Sequence, residues 1–429
     1  MDITHEPIAE ELRPRKRASA LIFLIVFLDL LGVGLIVPLT PFIVERFSTT
    51  GSAVAALTLC YSAAQFLATP VLGALSDRFG RRPVLLASLF GSAVGYVLFA
   101  TAGMLPLLYL ARIIDGITGG NISTAQAYIA DVTPPKDRAK AYGLIGAAFG
   151  LGFLLGPAFS AMLVTIPAPA WLPGQSTMIP VWTAAGLSLV TFALAAIWLP
   201  ETLPPKARRA ERIGLSDLNP LRVLIETMRI PQVAGMLAAV FAAAFAHAEL
   251  RASLGVLLRD KFGYEEVHTG RVFAYIGFVA IMVQGGLVRR VSPIIGDRRA
   301  VLFGLPLAVI GYVLIPFAPA DNWMALIGAL TLMGLGAGIA GPSLTGILSR
   351  AAPRGAEGKV MGASQSVSAL ALVFGPMLAG PLYDYAGWGW PFWSAGLVVL
   401  VSLGIVAFMK IGRDGGGPEP LMPAEAEAL

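Results

Sequence analysis

The chain has 429 residues, of which 56% are hydrophobic and only 13% charged, and its mean hydropathy is +0.75. A soluble domain carries about 25% charged residues, and one this apolar would expose large adhesive patches, so composition excludes an ordinary water-soluble protein. A single cysteine, Cys60, excludes an internal disulfide framework and a cysteine metal centre, and His5, His247 and His268 lack metal-ligand spacing, so neither metal nor cofactor is expected.

Residues 1–18, with the basic run Arg13-Pro-Arg-Lys-Arg17, read as an unstructured cytoplasmic tail. The apolar run that follows continues to about Val44, too long for a cleavable signal. Twelve apolar segments are expected, at 19–44, 52–74, 83–103, 105–130, 141–165, 178–199, 232–258, 270–288, 300–318, 323–349, 359–382 and 390–411. About 20 residues cross the hydrocarbon core. Lipid offers backbone groups no partner, so unbroken runs of this length are helices. The expected fold class is an all-α membrane protein with twelve transmembrane helices.

The polar interval around 200–231 separates an N-terminal six-helix bundle (19–200) from a C-terminal one (232–411), with a linker at 201–231 and a second cytoplasmic tail at 412–429. Within the linker, Leu218–Arg229 reads as a short amphipathic surface helix. With both termini cytoplasmic, 25 of the 31 Lys and Arg residues fall inside, four outside, and Arg112 and Arg251 within spans. That asymmetry follows the positive-inside rule. It also accounts for the net charge of +5 without a nucleic-acid partner.

The first span places Asp29 ahead of Gly32, Gly34 and Pro38. A carboxyl at this depth is costly as an anion and is a protonatable candidate by default. In the second span, Tyr61 and Gln65 are uncharged candidates for a cavity wall. The span ends in Gly73-Ala-Leu-Ser-Asp-Arg-Phe-Gly-Arg-Arg-Pro83, a charged, glycine-marked hairpin. Its glycines are expected to permit close helix approach and a tight turn. Asp77 is the type of residue favoured against a helix N-terminus. The fourth span carries Arg112-Ile-Ile-Asp115. At 100° per residue, Asp115, Gly119, Ser123 and Gln126 lie within about 60° of Arg112, a polar stripe expected to face a cavity. One turn from Arg112, Asp115 is its candidate ion-pair partner.

The fifth span is glycine-rich and ends in Gly152, Gly156 and Pro157, small residues that let membrane helices pack closely. The seventh holds His247, Glu249 and Arg251. The first and last share a face while Glu249 points nearly opposite, so the three cannot form one site. Gln284 and Gln365 complete the uncharged cavity candidates. Pro134, Gly143, Gly156 and Pro157 recur as Pro353, Gly362, Gly375 and Pro376, always 219 residues later. A worn copy of the charged hairpin lies at Gly286-Leu-Val-Arg-Arg290 and Gly296-Asp-Arg-Arg299. The two halves are therefore a duplication.

On these residues, over about 19–411, the chain resembles the major facilitator superfamily, and within it the twelve-span drug:proton antiporter branch that holds the tetracycline exporters. The resemblance implies two pseudo-symmetric six-helix bundles working by alternating access around a midplane site. It implies a conformational latch of Gly73, Asp77 and Arg81, with Asp77 near the start of the eleventh span and Arg81 paired with Asp131. It implies proton coupling through Arg112, with Asp29, Asp115 and Glu249 as the acids. The fifth-span motif is associated with antiport, although Ser160-Ala161 replaces its usual closing glycine pair.

The expected function is therefore proton-coupled export of small amphipathic organic molecules, with proton-coupled import of a small metabolite as the alternative. The expected partners are a small-molecule substrate, protons and the lipid bilayer. The expected setting is a bacterial inner membrane, with the protein a monomer. The ninth span contains no acid, unlike tetracycline exporters, which weighs against tetracycline itself. No nucleophile–base pair or phosphate loop suggests an enzyme, and Ser76 has no histidine near it in sequence.

Overall fold

The computed structural model describes residues 9–133, 138–169, 176–203, 208, 219, 221–353 and 356–409. Among the described residues the regular elements are all helical. They are α1 Ala9–Ile36, α2 Thr40–Glu45, α3 Gly51–Phe79, α4 Arg81–Thr101, α5 Leu105–Gly119, α6 Ile122–Val132, α7 Arg138–Leu163, α8 Ile179–Trp198, α9 Arg222–Thr227, α10 Pro231–Asp260, α11 Glu266–Met282, α12 Val288–Ile295, α13 Asp297–Leu314, α14 Trp323–Ala351, α15 Glu357–Pro381 and α16 Trp390–Phe408. Eleven helical stretches among them are long and apolar enough to cross a membrane.

Three features differ from the sequence reading. The fourth span, expected over 105–130, is divided into α5 and α6, so neither piece reaches spanning length by itself. The cause is local: the Asn121 amide bonds the Thr118 carbonyl, three residues back, and the helix tightens at Gly120. Helix α1 begins at Ala9, inside the segment expected to be unstructured; Ala9-Glu-Glu-Leu-Arg13 consists of strong helix formers. The surface helix of the linker is confined to α9.

By internal packing the chain forms two compact units, drawn from Met1–Val37 with Leu67–Leu218, and from Pro38–Phe66 with Asn219–Leu429. The first is built around Ile22, Ile25 and Leu30 of α1, Leu85 and Leu89 of α4, Tyr128 and Ile129 of α6, and Ile145 and Ala148 of α7. Helix α4 buries Leu85, Leu89, Tyr96 and Phe99 yet exposes Phe90, Val94 and Val97. A helix apolar on both faces is a liability in water and is suited to a bilayer.

Glycines set the closest helix approaches. A Cβ on Gly34 of α1 would stand 2.7 Å from the Gly152 carbonyl oxygen and 3.1 Å from Gly156 Cα of α7. In the second unit, a Cβ on Gly375 of α15 would stand 2.5 Å from Ala248 Cβ of α10. Gly156 and Gly375, 219 residues apart, thus seat equivalent helices against the first helix of each half. Gly304 of α13 and Gly336 of α14 make a third such crossing. Gly73 is different. Its Cβ would meet only Ser123 Oγ at 3.8 Å, so the close approach expected there is instead made at Gly120, where an added Cβ would stand 3.1 Å from the Thr69 amide nitrogen.

Candidate coupling site and charged hairpin

The hairpin after α3 turns on Gly80, whose φ of 108° is a conformation that side chains strongly disfavour. Gly80 is the N-cap of α4 and has no side chain to cap it. The Glu201 carboxylate does so instead, accepting from the Arg81 and Arg82 amides at 3.0 and 3.3 Å. Arg81 lies at the centre. Its guanidinium donates to Ser76 Oγ at 2.6 Å and to Asp131 Oδ2 at 3.2 Å, and pairs with Asp77 one turn away. Thr202 Oγ1 also donates to Asp131, at 3.0 Å. The Arg81–Asp131 pair implied by resemblance is therefore present. Ser76, considered in the sequence only as an unsupported nucleophile, and Glu201, which no sequence signal marked, join it.

The second unit carries the same device with its charges reversed. Gly296, φ 77°, is the N-cap of α13, as Gly80 is of α4. The next residue is Asp297, and it pairs with Arg350 near the end of α14. Arginine at the helix start and aspartate at the far partner have exchanged places.

In the fourth span Arg112 Nη1 donates to Asp115 Oδ2 at 2.6 Å, and both residues are buried. Arg112 also lies over the Phe99 ring, 6.0 Å from its centroid. Asp115 packs on α4, where a Cβ on Gly95 would come within 3.3 Å of its Cβ. Beside it, Ser92 and Thr118 hydroxyls are 2.9 Å apart. Asp29 of α1 is half-buried and accepts a 3.4 Å hydrogen bond from Asn121 Nδ2, at the break between α5 and α6. Asp29, Asn121, Arg112 and Asp115 thus sit along the divided fourth span within one unit.

The expected stripe does not face one way. Asp115 faces α4, whereas Ser123 turns to α3, its hydroxyl donating to the Thr69 carbonyl at 3.3 Å, and Gln126 is half-buried. The break at Gly120 separates the two sections. Tyr61 and Gln65 form their own pair, Gln65 Nε2 donating to Tyr61 Oη at 3.2 Å. Gln284 lies in the wide helical turn Val283–Leu287, exposed, and Gln365 is exposed on α15.

Helix α10 separates its polar residues as expected. Glu249 is fully buried and His247 is exposed. The missed partner is Ser394 of α16, whose hydroxyl lies 2.9 and 3.1 Å from the two Glu249 oxygens. Nothing in the periodicity of the twelfth span marks a serine 145 residues away as this partner. Ser394→Ala is expected to cost about 1–3 kcal/mol, because a buried polar group loses its hydrogen bond. Ser394→Thr should recover most of that. Thermal melting of the purified protein in detergent checks it; equal melting of the alanine variant and the parent would show that the bond contributes nothing.

The model of the Major Facilitator Superfamily matches residues 22–364 and 290–427. The chain belongs to the major facilitator superfamily. It is a multi-pass membrane transporter of small substrates, and not an enzyme. The transporter is 34% identical over 382 residues to tetracycline resistance protein class G of Vibrio anguillarum, covering 88% of this chain and 93% of that one. It is 32% identical over 381 residues to the class C protein of Escherichia coli, covering 87% and 92%. The crystal structure of the human organic anion transporter MFSD10 superposes with a TM-score of 0.69 at 28% identity, over 92% of this chain and 99% of that one.

Proposed function

We propose that this transporter is a proton-coupled antiporter that exports small amphipathic organic molecules by alternating access, from a bacterial inner membrane with both termini cytoplasmic. The observation that carries the reading is the arrangement in the first unit: a half-buried carboxyl, Asp29, held by Asn121 at a helix break beside the buried Arg112–Asp115 pair. Ionisable groups inside a membrane protein are rare and serve substrate or proton movement. Similarity to tetracycline resistance proteins supports export, and similarity to an organic anion transporter keeps the substrate class broad.

In this reading Asp29, Asp115 and Glu249 are the proton-coupling acids, with Arg112 the partner of Asp115. The hairpin of Gly73, Asp77 and Arg81 with Asp131 acts as a conformational latch. Tyr61, Gln65, Ser123, Gln126, His247, Gln284 and Gln365 are the cavity candidates. Gly152, Gly156, Pro157, Gly375 and Pro376 set the helix crossings about which the fold flexes.

Efflux of tetracycline and of a cationic dye from energised cells tests the proposal. Asp29→Asn is expected to reduce proton-driven efflux at least tenfold, to the level seen with a protonophore, at equal expression. Efflux that survives both treatments would remove proton coupling through Asp29. Proton-coupled import of a metabolite is the rival. It is favoured by the altered end of the fifth span, where Ser160 and Ala161 are both buried, and a rise in accumulation on expression would establish it.

A further inference from the structure

Helix α12 seats Val288 and Ile295 against a small core of Val279, Val283, Ala300 and Ile339. At about 100° per residue, Ile294 lies roughly 40° from Arg290 and about 120° from Val288, so it points away from that core. Arg290 and Ile294 are both exposed, Ile294 to 81%. Gly296 then turns the chain into α13, whose first residues are Asp297, Arg298 and Arg299.

Two charges at this turn are left over. Asp297 is the only acid between Gly286 and Arg299, and Arg350 of α14 pairs with it. Arg298 donates to the Ala407 and Met409 carbonyls at 3.0 and 3.4 Å, at the end of α16. Among the described residues, Arg290 and Arg299 have neither a hydrogen bond nor an ion pair, and both are exposed. Their charge is available to a ligand.

The surroundings of Arg299 decide which ligand. Arg299, Phe303 and Ile310 fall within about 40° of one another around α13. Phe303 is 61% exposed, and Ile310 is exposed further along the same stripe. Phe408, at the end of α16 that Arg298 holds, is exposed as well. The stripe therefore runs from a guanidinium at the end of the helix to apolar side chains at the depth of a membrane span. A soluble anion has no use for the apolar part, and a zwitterionic lipid leaves the two arginines without a net counter-charge.

We infer that the start of α13, with Arg290 and Ile294 beside it, is a docking surface for an anionic phospholipid of the inner leaflet. The guanidinium groups take the phosphate, for which their planar fork is suited. Phe303 and Ile310 lie along an acyl chain. Arginine stems that run over apolar surface carry their charge to the headgroups in this way. The inference rests on the cytoplasmic placement of this end proposed above, and on neither proton coupling nor substrate.

Native mass spectrometry of the full chain in detergent, titrated with dioleoyl phosphatidylglycerol or dioleoyl phosphatidylcholine, tests it. The parent should bind phosphatidylglycerol several-fold more tightly. Each surface arginine contributes about fivefold to anionic-lipid affinity, so Arg290→Gln/Arg299→Gln should weaken phosphatidylglycerol binding about twenty-five-fold and leave phosphatidylcholine unchanged. Arg290→Lys/Arg299→Lys should recover most of the loss. Neither arginine has a protein partner among the described residues, so the glutamine variant should melt with the parent. Arg46→Gln/Arg271→Gln removes the same charge from the face assigned to the outside and should change nothing. An equal loss there would reduce the effect to net charge and overturn the site. Equal affinity of the parent for the two lipids would overturn it too, as would unchanged phosphatidylglycerol binding in the glutamine variant. Displacement of the lipid by millimolar glycerol phosphate would make the ligand a soluble phosphate ester and overturn the lipid assignment. Binding in detergent depends on neither orientation nor transport, so failure here is distinguishable from failure of the export reading.

Discussion

Replacing Arg112 alone is expected to cost about 3–5 kcal/mol of stability, whereas replacing Arg112 and Asp115 together is expected to return most of it and still abolish transport. Arg112 and Asp115 are joined at 2.6 Å, with side chains only 10% and 4% exposed. Removing the guanidinium leaves a carboxylate in an apolar interior without its counter-charge, and that is where the large cost arises. Removing both charges removes the desolvation penalty as well, so a well-packed apolar pair is often no less stable. Arg112→Met and Arg112→Met/Asp115→Leu therefore separate structure from coupling. Thermal melting in detergent gives the first quantity and efflux the second. If the single variant melts no lower than the double, the pair is not a buried, interdependent unit. If the double variant melts like the parent and still transports, the pair has no part in coupling.

The second large effect is expected at the crossing of α1 and α7. A Cβ on Gly156 would lie 2.6 Å from Gly34 Cα and 2.7 Å from Gly34 C, both backbone atoms that no rotamer change can move. Gly156→Ala must separate the two helices along a contact that includes Leu30 and Gly152. Overpacking of this kind costs about 1–3 kcal/mol, and a rigid backbone neighbour places it at the upper end. Gly186→Ala in α8 is the control. Nothing lies within 4 Å of its added Cβ, so alanine there should be neutral or stabilise by about 0.5–1 kcal/mol through helix propensity. Equal melting temperatures for the two variants would show that the crossing tolerates a wider spacing.

Much of this molecule was legible in its residues, because the signals involved are local. Spanning helices follow from runs of apolar residues, since lipid leaves the backbone no other partner. The charged hairpin, the glycine-rich fifth span and the offset of 219 each lie in contiguous sequence, and together they led to the superfamily. The Arg112–Asp115 pair was readable because three residues bring side chains to adjacent positions on a helix. The separation of Glu249 from His247 followed from the same geometry.

What the tertiary structure alone decided concerns partners distant in sequence. Periodicity says that Glu249 points inward, but not that Ser394 waits there. It places Asp29 in the membrane without naming Asn121, and it marks the hairpin without the Glu201 cap on α4. It also treated the fourth span as one straight helix, so Ser123 and Asp115 were assigned to a single stripe, whereas the turn at Gly120 gives them different neighbours. The sequence by itself determined the helices, the superfamily and which charges are buried, since hydropathy and motif spacing act within a few turns. Only the tertiary structure decided that Asn121 and Ser394 are the hydrogen-bond partners of Asp29 and Glu249, that Glu201 caps α4, and that residues 38–66 pack with the second unit. Those outcomes depend on groups that meet across 92 residues or more, for which no local rule exists.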